Sequence, residues 1–192
     1  SRRFIPAKLA DNPYLTQTPE YRNMLLSLPE IKRRQWLAGD WSAFEGAAFA
    51  EFDYNTHVIE PFSIPDSWTK IRSAEWAFSS PFCVLWGALD WDNNLYIYRE
   101  FYGKGLTADR FAIRVMELER GEPIGVGIID SSVYSRRGDI GPSVIDTMRD
   151  YGCRWRPSDR SPGSRKAGKM EIHRRLQPYI NESGETKAKL QI

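Results

Sequence analysis

Hydrophobic and polar positions fall into two regimes that meet near residue 66. The earlier regime is largely helical in spacing. Pro19-Glu20 opens a segment with Tyr21, Met24, Leu25 and Leu28 three or four residues apart, and Leu28-Pro29 breaks it. A second helix is predicted from Pro29-Glu30 to about Ala38, with Ile31, Trp36 and Leu37 apolar and Gly39 as its stop. Phe49 to Ile64 reads as extended, punctuated by Pro61, and leads as an arm into the main domain. The expected division is an arm over residues 1–66 and a domain over 67–192.

From Trp68 the pattern alternates between strand and helix. Ile71–Ala77 and Pro81–Leu89 are predicted as one first strand, bent at Ser79-Ser80-Pro81. Asp90-Trp91-Asp92-Asn93-Asn94 is a hairpin turn, because Asp and Asn tolerate the backbone angles a tight turn needs. Leu95–Tyr102 is the return strand, ended by Gly103 and Gly105. Thr107 caps a helix that buries Ala108, Phe111, Ala112, Val115, Met116 and Leu118 and stops at Gly121. Ile124–Ile129 lacks alternation and is expected to be a strand buried on both faces. Ser143–Tyr151 is a helix stopped by Gly152, Cys153–Arg156 a short strand, and Ala167–Leu176 a helix that Pro178 ends. This order fits an α/β fold with a ribonuclease-H-like mixed sheet flanked by helices better than a doubly wound sheet. No Gly-rich phosphate loop occurs, so a P-loop ATPase is not expected in this piece.

Composition narrows the class. Hydrophobic content of 41% and charged content of 27% suit a globular protein, and no run approaches the roughly 18 apolar residues of a membrane span. The chain opens on Ser1, so an excised fragment is expected. Cys83 and Cys153 read as two buried, reduced thiols, which suggests a reducing, cytoplasmic setting. The net charge of +2 says little, but its distribution says more. Arg154, Arg156, Arg160, Arg165, Lys166, Lys169, Arg174 and Arg175 face only Asp159 and Glu171 in their stretch. Such a run is either a solvated surface or a polyanion contact. Trp155, His173 and a Gly/Ser/Pro turn within it favour the contact.

The candidate chemistry rests on two acids. Glu75 lies beside aromatic and small residues ahead of the apolar run Phe82–Trp86, and Asp130 closes Ile124–Ile129. A buried acid is unfavourable unless something pairs it, and a shared hard cation would serve both. Acids on adjacent central strands would point to one rim of a rigid sheet and could hold magnesium or manganese for phosphodiester hydrolysis. The alternatives are a salt bridge with an Arg or, for Asp130 before Ser131 and Ser132, a turn acid. Glu100 beside Arg99 reads as a charged strand face, and Asp90 and Asp92 as turn residues. His57 and His173 are too scattered for a zinc site.

Several stretches together resemble a known family. They are Arg3–Leu15, Leu28-Pro29, Arg33, Leu37–Trp41, Gly46 and Phe49, then Arg72–Trp76, Pro81-Phe82, Leu85–Ala88, Tyr98–Glu100, Asp130, Gly141–Ser143 and Trp155–Pro157. The chain to about Leu176 resembles the large terminase subunits of tailed bacteriophages, from the segment after the ATPase core through the nuclease domain. The resemblance implies a ribonuclease-H-like nuclease that cuts concatemeric double-stranded DNA during packaging, using two Mg²⁺ or Mn²⁺ ions. Glu75 would stand in place of the usual first-strand Asp, with Asp130 as the second acid. A third acid would lie beyond Ile192, on a C-terminal helix. Arg165, Lys166, Lys169, Arg174 and Arg175 would grip the phosphate backbone. Implied partners are the ATPase domain, the small terminase subunit and the portal, in the cytoplasm of the infected or lysogenic host, with no membrane and no ATP in this fragment. Glu for Asp adds a methylene and shifts the carboxylate by about 1 Å, enough to misplace a reacting group. A catalytically impaired DNA-binding or motor-docking module of the same fold is therefore the second expectation.

Overall fold

The computed structural model describes residues 9–16, 18–28, 30–37, 39, 47–135 and 142–192. The expected break at Pro29, the helix end at Ala38 and the resembling stretches at residues 3–8, 40–46 and 141 lie outside the described residues. The chain divides into two compact units, residues 1–50 and 51–192. In the first, a 3₁₀ turn at Leu9–Asp11 precedes α1 (Pro13–Thr16), α2 (Pro19–Leu26) and α3 (Glu30–Leu37). Pro19 opens α2 at a position where its missing N–H has no helical partner to lose, and Leu25 is the buried residue of that helix.

In the second unit α4 (Tyr54–His57) precedes β1 (Thr69–Glu75), β2 (Pro81–Leu89), β3 (Leu95–Lys104), α5 (Ala108–Glu119) and β4 (Val126–Ile129). A 3₁₀ turn at Ser131–Tyr134 leads to α6 (Val144–Asp150), β5 (Arg156–Pro157) and α7 (Ser164–Leu176). The chain closes with β6 (Tyr179–Ile180), β7 (Thr186–Lys187) and β8 (Leu190–Gln191). Six strands form one sheet in the order β5-β4-β1-β2-β3-β8. The β1–β2–β3 meander is antiparallel, whereas β4 runs parallel to β1 and β5 parallel to β4. This is the mixed α/β sheet expected of a ribonuclease-H-like fold.

One expectation is corrected. Ile71–Ala77 and Pro81–Leu89 are not a single bent strand. They are two antiparallel strands in register from Thr69 opposite Leu89 to Glu75 opposite Cys83. Alternation continues on both sides of a tight turn, so local periodicity cannot tell a bend from a reversal. Pro81, with no N–H to donate, fits at the first residue of the new strand. The other elements shift by a few residues. α7 starts at Ser164, after Gly163 with φ 89°, and the pairing of the short strand is confined to Arg156-Pro157.

Alternation assigns the two sheet faces. Phe82, Val84, Trp86 and Ile129 point to one side and pack against Phe111, Ala112 and Val115 of α5 and Ile145 and Met148 of α6. The rings of Phe82 and Phe111 meet edge to face at 5.3 Å. Into this apolar layer the sheet inserts one charged pair: Arg72 donates to Glu119, which also accepts from Trp86 Nε1 at 2.8 Å. The Arg72 guanidinium lies 4.1 Å from the Trp155 ring and donates to the Arg154 carbonyl at 2.7 Å. Gly127 is what admits it. A Cβ there would lie 2.7 Å from Arg72 Nε and 3.2 Å from the Arg154 carbonyl oxygen. Gly127→Ala is expected to lower the unfolding free energy by about 1–3 kcal/mol through overpacking, readable in a urea titration.

A second charge cluster lies beside the first, two residues earlier on β1. Buried Lys70 contacts Glu122 at 3.0 Å and Asp66 at 3.4 Å, and Arg99 reaches Glu122 at 2.9 Å. Burial pushes the Glu122 carboxyl up, but Lys70 and Arg99 outweigh it and hold the group below its ordinary range. A lowered folded-state pKa stabilises above the unfolded value, and that contribution fades as pH falls through the lowered one. Glu122→Gln should therefore reduce stability by about 1–3 kcal/mol at pH 7. The deficit should shrink below about pH 4. Paired denaturation curves at the two pH values measure it.

Residues 51–66 belong to the second unit. His57 is fully buried, with ring nitrogens 3.0 Å from the Asp53 N and 2.9 Å from the Leu176 carbonyl oxygen. The Ile192 N–H donates to the His57 carbonyl at 2.7 Å, and the Ile59 N–H donates to that of Ile192 at 3.0 Å.

Candidate metal and nucleic-acid site

β1 and β4 run side by side with Ala74 level with Ile129, so the next residues of the two strands are Glu75 and Asp130. The Asp130 N–H donates to the Ala74 carbonyl at 3.2 Å, which carries the pairing one step past the ladder. Neighbouring strands lie about 4.8 Å apart, so two acids distant in sequence share the carboxyl-terminal rim of the sheet. Ligand sites of open α/β sheets favour that rim. Glu75 is exposed, opposite Cys83, whose Sγ lies 3.9 Å from Glu100 Oε1. Partial burial, with Glu100 and Glu75 near, pushes the Cys83 thiol up. It stays protonated at neutral pH.

Asp130 caps the 3₁₀ turn that follows β4, its Oδ1 accepting the Ser132 N–H at 2.8 Å. The Ser132 side chain comes first in holding the carboxyl below its ordinary range and the Ser132 N–H second; partial burial opposes them, and Arg160 and Arg165 add to the lowering. Arg160 Nη2 lies 3.9 Å from the same Oδ1. The turn role anticipated for Asp130 and the rim position thus coexist in one side chain.

Beside Asp130 opens a basin of about 700 Å³ lined by Ser158, Asp159, Arg160, Ser161, Ser164 and Arg165. It forms because the Ser158 N–H extends the β4 edge by donating to the Ile129 carbonyl at 2.8 Å, after which the chain turns into α7. Asp159 shapes the turn, accepting from Ser161 N and Oγ at 2.8 and 2.9 Å. α7 presents its amino-terminal end to the basin with Ser164, Arg165 and Lys166 first and no acid in its first turn. Such an end favours anions.

The five anticipated backbone contacts separate. Arg165 lines the basin, and Lys166 and Lys169 are exposed on α7. Arg174 and Arg175 lie about 15 Å further along the helix than Arg165. Arg174 binds both oxygens of Glu171 at 2.8 and 2.6 Å. Arg175 bonds Glu171 and the Asn93 carbonyl at 2.8 Å each, and so ties α7 to the β2–β3 turn. These two carry the Glu171 carboxyl down to about 2. His173 contacts Glu51 at 2.8 Å. Arg160 escaped notice as a site residue because nothing in its spacing marks it as a neighbour of Asp130.

Among the described residues no group of three or more His, Cys, Asp or Glu side chains is arranged to hold a metal ion. The donor set of Glu75 and Asp130 is hard oxygen, which suits magnesium or manganese. Magnesium commonly takes one or two carboxylates and fills its shell with water and substrate phosphate. The pair fits such an ion as an open site.

No protein-family model and no curated protein matches this sequence. Solved structures do match. The large terminase of a thermophilic bacteriophage, bound to ATP-γ-S, superposes with a TM-score of 0.51 and 17% identity over 94% of this chain and 50% of that one. The nuclease domain of the P22 large terminase gives 0.53 and 14% over 72% and 82%. The chain therefore spans about half the length of the thermophilic phage protein. Among the described residues no helix is long and apolar enough to cross a membrane. By structure, this chain is similar to large terminases, and its sheet and helices have the fold of their nuclease domain.

Proposed function

We propose that residues 67–192 form a divalent-metal-dependent endonuclease domain that cuts double-stranded DNA, as part of a phage packaging terminase. The supporting observation is the parallel register of β1 and β4, which sets Glu75 beside Asp130 at the edge of a basin flanked by Arg160 and Arg165. Glu75 and Asp130 hold Mg²⁺ or Mn²⁺, and two ions act in the whole protein. The bound metal supplies Lewis-acid stabilisation of the phosphodiester and an activated water. The chain's own part is positional. The Ser132 N–H fixes the Asp130 carboxylate, and the rigid strand carries Glu75. Arg165 and the exposed Lys166 and Lys169 hold the DNA backbone without reading sequence.

In this reading the leading residues, to about 66, are the linker after an ATPase domain, with 51–66 folded onto the nuclease. The small terminase subunit and portal are the partners of the longer protein in the host cytoplasm. A second reading, an impaired DNA-binding or docking module, is favoured by Glu75, whose extra methylene relative to Asp displaces the carboxylate. The deciding experiment is nicking of supercoiled plasmid in Mn²⁺ by the wild type, Glu75→Ala and Asp130→Ala. Activity that survives both substitutions would sink the assignment. Salt-dependent DNA binding without cleavage in any divalent metal selects the second reading.

A further inference from the structure

Arg160 and a metal ion would make opposing claims on the same carboxylate. Arg160 Nη2 sits 3.9 Å from Asp130 Oδ1. The carboxylate cannot follow the guanidinium away, because the Ser132 N–H anchors that oxygen at 2.8 Å. The backbone beneath Arg160 is equally fixed. Asp159 closes its turn onto Ser161, the Ser164 hydroxyl donates to the Asp159 carbonyl at 3.0 Å, and the Ser158 N–H donates to the Ile129 carbonyl. Only the side chain is free to move. It is 63% exposed, on the wall of a basin whose other cationic lining residue is Arg165.

A guanidinium can fork two N–H donors onto two oxygens at once, and the two non-bridging oxygens of a phosphodiester in the basin would accept them. With a divalent cation on Asp130 and Glu75, the carboxylate charge is neutralised and no longer holds Arg160 in its resting place.

We propose that Arg160 is an exchangeable placeholder: it neutralises Asp130 while no ion is bound, then turns into the basin to position a backbone phosphate of the nucleic acid when metal arrives. This rests on Asp130 being a metal ligand, and it adds a role that neither strand register nor the basic run assigns. It makes Arg160 a positioning residue with effects of opposite sign on two equilibria.

The test measures both on the 192-residue chain. Mn²⁺ affinity without DNA is read by titration calorimetry, and binding of a duplex of about 30 base pairs by fluorescence anisotropy in Ca²⁺ across a salt series. Arg160→Ala should bind Mn²⁺ about two- to five-fold more tightly, the scale of an exposed ion pair. The same variant should bind the duplex more weakly, with the slope of log K against log salt reduced by about 1. Arg160→Lys keeps the charge but not the fork, so it should return Mn²⁺ affinity to the wild-type value and recover DNA binding only in part. Mn²⁺ affinity that is unchanged or weaker in Arg160→Ala overturns the placeholder role, and an unchanged duplex affinity overturns the positioning role. A wild type that binds no Mn²⁺, or Mn²⁺ binding that Asp130→Ala leaves intact, overturns the metal reading and this inference together.

Discussion

Asp130→Asn is expected to reduce Mn²⁺-dependent plasmid nicking by about 10²- to 10⁴-fold, corresponding to the several kcal/mol a metal ion contributes to a phosphoryl transition state. The substitution is chosen for what it preserves. Asn keeps an oxygen acceptor for the Ser132 N–H, so the cap of the 3₁₀ turn survives. It removes the charge that an ion and Arg160 both require. Thermal unfolding should change little, because Asp130 is 40% exposed and its pair with Arg160 is solvated. Glu75→Gln makes the parallel test from the neighbouring strand. A loss of activity accompanied by a large fall in melting temperature would assign Asp130 to the fold and not to the chemistry.

The largest effect on stability is expected at Arg72. Its guanidinium is 5% exposed and Glu119 is 6% exposed, within a layer of Trp86, Val84 and Phe111. Arg72→Ala would leave Glu119 buried with only the Trp86 Nε1 donor and would orphan the Arg154 carbonyl. Breaking a buried pair in this way costs about 3–5 kcal/mol. Denaturant unfolding of the variant should show that loss. Replacing both partners by Met and Leu should recover much of it, since it removes the stranded charge as well. A loss below about 1 kcal/mol in Arg72→Ala would mean that Glu119 reaches water.

Much of this fold was readable from periodicity. The amphipathic spacing of Phe111, Ala112 and Val115 located α5, and the Asp/Asn-rich stretch at 90–94 located the β2–β3 turn. Those are local signals, set by backbone propensity and one-face burial. The reversal between Glu75 and Pro81 was not readable, because a strand alternates identically whichever way it runs. The end of the basic run divided for a similar reason. Arg174 and Arg175 look like Arg165 in composition, yet Glu171 and Asn93 engage them.

The sequence by itself determined the alternation of strands and helices, the two acids at strand ends and the cationic character of the stretch after Cys153. Tertiary structure alone decided that those acids are neighbours, that Arg160 stands beside one of them and that Arg72 lies buried over Gly127. The physical reason is the range of the interactions. Helix and turn preferences act over a few residues. A parallel pairing of β1 with β4 is closed through an intervening hairpin and helix, and its register depends on how the whole apolar layer packs.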